Sequence, residues 1–140
     1  MKKFAKIMAV VLVAVMALAL LVSCGPASDP DKALAALKGN DYKAATKLTD
    51  AISLGLTEAS LGAERGDLVA IVSGSKTDDN QKLQTVTILY FKDAAAANKA
   101  WDKAQQHANS EKDDDASDWV VAKSGAMIYY GTSQAVKDAR

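Results

Sequence analysis

The sequence predicts an α+β fold. It reads as a two-layer α/β sandwich in which two β-β-α units form a four-stranded, mainly antiparallel sheet with helices on one face, preceded by an N-terminal helical segment. Three observations predict it. First, "GDLVAIVSGS" at residues 66–75 is matched by "SDWVVAKSGA" at 117–126, which aligns Asp67 with Asp118, Val69 with Val120 and Ser73-Gly74 with Ser124-Gly125. Second, each copy runs on into an apolar, aromatic segment, "ILYFKDAAAANKA" from Ile88 and "MIYYGTSQAVKDA" from Met127, which aligns Tyr90 with Tyr129 and Phe91 with Tyr130. Third, within each of these segments a short aromatic and β-branched run gives way to alanines at helical spacing, the mark of a strand passing into a helix.

Taken in order, the first element is a helix opened by Asp29 and Pro30, since Asp caps free amides and Pro is favoured at the first helical position. It places Ala33, Leu34 and Leu37 on one side and stops at Gly39. The next stretch has two readings. Tyr42, Ala45, Leu48 and Ile52 fall at helical spacing, while Tyr42, Ala44, Thr46 and Leu48 alternate as in a strand. Its alanine content favours helix, so residues 31–63 are expected to be a helical lead-in.

The first β-β-α unit then spans 66–109, with a long loop around residues 75–83, and the second spans 117–140, with a tight turn at Ser124-Gly125. The helix opened by Asp93 turns Ala96, Ala97, Ala100, Trp101 and Ala104 toward the sheet, with Trp101 supplying the bulk. A short final helix from Thr132 or Ser133 carries Ala135, Val136 and Ala139. The nearest common architecture is a ferredoxin-like sandwich, rearranged by the leading helix.

Ahead of this domain, Lys2, Lys3 and Lys6 precede a run of sixteen uncharged apolar residues at positions 7–22. A basic start, an apolar middle and small residues at the boundary describe a secretory signal peptide. The run is shorter than the roughly 20 residues a helix needs to cross a bilayer. At its end stand Leu21, Val22, Ser23 and Cys24, and this tetrad resembles the lipobox of bacterial lipoproteins. The resemblance implies a diacylglycerol in thioether linkage to Cys24, cleavage between Ser23 and Cys24, and acylation of the new amino group. It also implies export and anchoring to the outer face of the cell membrane. In a two-membrane cell, Gly25 after the cysteine leaves the outer membrane open as the destination. The later segment with "YYGT" and a short helix is similar to small uncharacterised lipoproteins, which implies no activity.

The division expected is therefore a signal peptide at 1–23, a short polar tether at 24–30 and a single globular domain at 31–140. Removing residues 1–23 takes Lys2, Lys3 and Lys6 from the seventeen basic side chains and none of the seventeen acidic ones, leaving a net charge of −3. That balance argues against nucleic acid as a partner, which needs a concentrated basic surface. Cys24 is the one cysteine, so the exported domain has no disulfide and folds on packing alone. The partners expected are the lipid bilayer, through acylated Cys24, and an envelope or surface protein.

Chemistry-bearing motifs are few. His107 is the single histidine and reads as a boundary residue of the Asp93 helix. "SGSK" at 73–76 resembles a serine–lysine pairing, but turn chemistry explains it. Asp113, Asp114 and Asp115 form an acidic cluster that lacks calcium-loop spacing and reads as a solvated loop, so neither a metal nor a cofactor is expected. In a strand, each of the adjacent pairs Tyr90-Phe91 and Tyr129-Tyr130 sends one ring to each face. Together with Trp119 they form a candidate binding surface if one sheet face is open; if residues 31–63 pack over that face, the rings are core. The function expected is a non-catalytic binding or structural domain. The alternatives are a sensor or inhibitor of extracellular enzymes, or a small hydrolase.

Overall fold

The computed structural model describes residues 25–46, 57–112 and 118–140. Helix α1 (Pro30–Gly39) opens as its sequence predicts, with the Asp29 carboxylate accepting from the Asp31 amide at 2.9 Å. It closes on Asn40, whose amide reaches the carbonyls of Ala36 and Leu37. The elements that follow are β1 (Lys43–Thr46), β2 (Leu68–Thr77), β3 (Leu83–Phe91), α2 (Ala94–Glu111), β4 (Trp119–Ser124), β5 (Met127–Thr132) and α3 (Ser133–Asp138). Residues 57–60 are also helical. The strands form one sheet in the order β1-β2-β3-β5-β4, with every neighbouring pair antiparallel.

The mixed α/β class, the N-terminal helix and both β-β-α units are as the sequence predicts, but two details of the sheet differ. It has five strands because Lys43–Thr46 is a strand, pairing with Val72 to Ser75 of β2. Its alanines carry weak β propensity, and pairing with an existing edge outweighs the local helical preference. The remainder of the ambiguous stretch, residues 47–56, lies outside the described residues. The sheet is also covered on both faces. On one, α1 and α3 pack Ala33, Leu37, Ala135, Val136 and Ala139 against Val72, Ile88, Tyr90 and Tyr129. On the other, α2 packs Ala96, Ala97, Ala100 and Ala104 with Leu61 against Ile71, Leu89, Phe91 and Ile128. Three layers replace two, and the strand order is not that of the expected sandwich.

The repeat holds along the strands and breaks at the helices. Tyr90 and Tyr129 share one face and Phe91 and Tyr130 the other, as the alignment requires, and each helix is entered two residues later, at Asp93 and Thr132. Yet α2 and α3 leave to opposite faces. Lys92 has left the ladder, whereas its counterpart Gly131 stays paired with Val86 and Val120 at a φ of +150°. Trp101 is only partly buried at the rim, so the bulk on the α2 side comes from Leu61 and the sheet residues. The alanines let that helix sit close.

Two turns also differ from expectation. The tight turn of the second hairpin is one residue later, at 125–126, with Gly125 at φ +58° in the first central position, where a type II′ turn takes glycine. Ser73 and Gly74 are not in a turn but in the middle of β2, because the chain there must pass beneath α1. A Cβ on Gly74 would lie 3.1 Å from a Leu37 methyl and 3.4 Å from the Ala44 Cβ. The first hairpin turns instead at residues 78–82, where Asp78 accepts from the amides of Asn80 and Lys82, both at 2.9 Å. Ahead of β2, the buried Asp67 carboxylate accepts from the Glu64 amide at 2.9 Å and pairs with Lys92 at 3.0 Å. Those contacts hold its pKa below the usual carboxylate range, the Glu64 amide first among them.

Residues 25–27 are part of the fold rather than a free tether. Pro26 is buried. The Ala27 amide donates to the Ala139 carbonyl at 2.9 Å, and the Ala27 carbonyl accepts from the Tyr90 hydroxyl at 2.8 Å. Gly25 lies so close to Tyr129 that a Cβ there would meet the phenol oxygen at 2.8 Å. A polar, turn-rich composition suggested reach, but a proline and two small residues are also what a narrow slot between aromatic rings accepts.

Candidate functional site

The α2 side of the sheet is covered incompletely. Helix α2 lies over β3, β5 and β4, Leu61 packs beside it, and a groove remains between them with the sheet as its floor. The register determines what that floor is made of. One transverse row reads Ala45, Ser73, Thr87, Tyr130 and Val121 across β1, β2, β3, β5 and β4. Lys43, Ser75 and Thr85 begin the next row, and Thr132 and Trp119 pair at its far end. Small hydroxyl side chains therefore stand side by side where large apolar ones would complete a core.

Two connected depressions share Ser73, Thr87 and Glu111. One, of about 350 Å³, is walled by Thr57, Ser60, His107 and Tyr130. The other, of about 410 Å³, reaches Lys43, Ser75, Thr85 and Trp119. Volumes of this size suit a small polar molecule or a single chain segment.

The polar centre lies at the C-terminal end of α2. Four residues separate His107 and Glu111, which puts them on one helix face, and the imidazole Nε2 stands 3.0 Å from a Glu111 carboxylate oxygen. The Tyr130 ring meets the His107 ring edge-on at 6.2 Å and lies 6.2 Å from the Trp119 ring. Its hydroxyl faces the side chains of Glu111 and Thr87, which line the same groove. Burial first, then the Glu111 charge, hold the Tyr130 pKa above its ordinary value, so the phenol stays protonated beside the carboxylate. The groove thus offers hydroxyls, a carboxylate, an imidazole and two aromatic edges for hydrogen bonding and stacking. The Trp119 indole N–H is buried without a hydrogen-bond partner among the described residues.

The sequence-derived candidates are distributed differently. Tyr90, Phe91, Tyr129 and Tyr130 are all at most 5% exposed, so these rings present no open aromatic face, and the face bearing Tyr90 and Tyr129 is closed by α1 and α3. Of the cover expected from residues 31–63, α1 packs on that face, and α3 completes it. Trp119 is half-buried at the groove, and Tyr130 reaches it with its polar end. Ser73, expected in a turn, is an exposed part of the floor, and Lys76 of the same motif turns to the other side, where its ammonium sits 4.6 Å from the centre of the Tyr42 ring. Cys24 and Ser23, and the cluster Asp113, Asp114 and Asp115, lie outside the described residues. Among the described residues, no group of acidic, histidine or cysteine side chains is arranged to hold a metal. The hydroxyl row had a signal in the sequence, since Ser73, Ser75 and Thr77 alternate in one strand and Thr85 and Thr87 in the next.

Tyr42 and Tyr90 share the upward pKa shift of Tyr130, caused first by burial; for Tyr42 the Asp138 carboxylate, accepting from its hydroxyl at 2.8 Å, adds to it. A tyrosine whose folded pKa is raised contributes stability below the unfolded pKa, and that stability is lost as pH rises past it. The domain is therefore expected to lose stability above about pH 10, where unfolded tyrosines ionise. Tyrosinate absorbance should appear together with loss of circular dichroism. A smooth tyrosinate titration that precedes unfolding would show that these hydroxyls are not held protonated by the fold.

No protein-family model matches the chain, and neither the curated proteins nor the solved structures contain a match to it.

Proposed function

We propose that this chain is a lipid-anchored, extracytoplasmic domain that acts by binding rather than by catalysis, with the groove beside α2 as its binding surface. The observation that carries the anchor is Leu21-Val22-Ser23-Cys24 at the end of an uncharged apolar run. A thiol is the one side chain in that stretch nucleophilic enough to form a thioether. Two or three acyl chains hold a protein where a single chain binds only marginally. The docking of residues 25–27 supports a mature chain that begins at position 24, since the fold uses the residues directly after the cleavage point.

Cys24→Ala is expected to abolish both incorporation of labelled palmitate and cleavage between Ser23 and Cys24. Persistence of both would overturn the anchor. For the groove, a photo-crosslinking residue in place of Ser73, on the exposed floor, is expected to form a discrete adduct in the native membrane. The same residue in place of Gln106, on the outer side of α2, is expected to form none. Equal adducts from the two positions would remove the groove as the contact surface.

A further inference from the structure

From the way residues 25–27 are seated, we infer that the anchored domain has a fixed orientation on the bilayer. The α1–α3 layer faces the lipid, and the groove beside α2 opens away from it. The inference rests on lipid attachment at Cys24.

A flexible tether of residues 24–30 would extend about 23–25 Å and let the domain tumble above the surface. Here there is no such tether. The backbone of Ala27 is held from both sides, by the Ala139 carbonyl at 2.9 Å and the Tyr90 hydroxyl at 2.8 Å. Pro26 is buried, and Gly25 is close enough to Tyr129 that even a methyl group would collide with the phenol. Tyr90, Tyr129 and Ala139 all belong to the cluster formed by α1 and α3 on one sheet face. Consecutive Cα atoms are about 3.8 Å apart, so Cys24 begins one peptide bond from that layer. Its acyl chains enter the bilayer there, and the layer comes down to the headgroups with them.

Surface charge adds no attraction to lipid on this side, so the seating of residues 25–27 carries the orientation. On α1, Lys32 and Lys38 stand against Asp31, and on α3, Lys137 stands against Asp138, so neither helix carries the basic cluster that draws a protein onto anionic lipid. The groove lies in the opposite layer, with the whole sheet between it and the anchor. A partner would therefore be met from the side remote from the membrane carrying the anchor.

The test uses the full, acylated protein in phosphatidylcholine vesicles containing headgroup spin-labelled lipid. Because the only native cysteine carries the lipid, a cysteine introduced by Lys137→Cys on α3 or Gln106→Cys on α2 takes a fluorophore uniquely; both positions are exposed. The two helix layers stand about 20 Å apart across the sheet, so quenching at position 137 is expected to exceed that at 106 by roughly threefold or more. Inserting Gly-Ser-Gly-Ser between Cys24 and Gly25 is expected to equalise the two. Equal quenching without the insertion overturns the orientation, and asymmetry that survives the insertion overturns the docked segment as its cause. Palmitate incorporation, measured on the same samples, separates the two levels. Acylated protein without asymmetry removes the orientation alone, whereas protein that is never acylated removes the anchor and the orientation together.

Discussion

Gly131→Ala is expected to destabilise the domain by about 2–6 kcal/mol, the combined order of an overpacked core position and a residue held in a backbone region that side chains avoid. Native domains have only about 5–15 kcal/mol in total, so this single methyl group should bring the protein close to unfolding. The geometry leaves little room for relief. Gly131 lies in β5 at φ +150°, paired with Val86 on one side and Val120 on the other. A Cβ there would stand 2.1 Å from the Thr85 carbonyl oxygen and 2.7 Å from the Val86 Cα. Those are backbone atoms of a central strand and cannot rotate away, unlike the Leu37 methyl that limits Gly74. Urea denaturation followed by circular dichroism measures the effect, with Gly39→Ala as the control. At the end of α1 a Cβ meets nothing within 4 Å, and the substitution should be neutral or gain up to about 1 kcal/mol of helix propensity. If the two variants unfold at the same urea concentration, the close crossing of β5 and β3 is not as described.

Tyr129→Ser should cost about 3–5 kcal/mol, the range for truncating a fully buried aromatic side chain. Tyr129 has no exposed surface and heads the fully buried side chains by volume. It sits in β5 between Ile88 and Ala122, under α1 and α3, and its phenol end meets Gly25. Its removal is expected to have a second consequence that an ordinary core truncation lacks. The slot holding residues 25–27 loses a wall, so limited proteolysis should cut near the N-terminal end of the domain sooner than in the parent protein. Tyr129→Phe keeps the ring and is expected to lose only on the order of 1 kcal/mol, with the N-terminal segment still protected. A serine variant within about 1 kcal/mol of the parent would contradict the placement of this ring at the centre of the core.

These two residues also show how far the sequence can be read. The repeat correctly paired Tyr129 with Tyr90 and Tyr130 with Phe91, because strand alternation alone assigns neighbours to opposite faces. Whether a face is open depends on what packs over it, and on the Tyr129 face one of the two covering helices, α1, is far away in sequence. Nothing local in "YYGT" marks Gly131 as constrained. Its requirement for glycine comes from Thr85 and Val86 on a neighbouring strand, which no local pattern encodes. The groove was half legible. The alternating Ser and Thr positions were visible in both strands, but their alignment with Tyr130 and beneath His107 and Glu111 depends on the β2–β3 and β3–β5 registers.

What the sequence determined by itself is whatever rests on local chemistry. The caps at Asp29 and Asp93, the helix-forming alanines, the glycine-dependent second hairpin and the two β-β-α units each follow from interactions between residues a few positions apart. The proposed lipid attachment at Cys24 is argued from a local pattern of the same kind. Tertiary structure decided the rest. It recruited Lys43–Thr46 as a fifth strand, since an edge strand gains its hydrogen bonds only once β2 exists. It sent α2 and α3 to opposite faces, and it drew residues 25–27 into a slot formed by Tyr90, Tyr129 and Ala139. For the fifth strand and for the slot, the partners lie more than twenty residues away, and local preference is too weak to resist them.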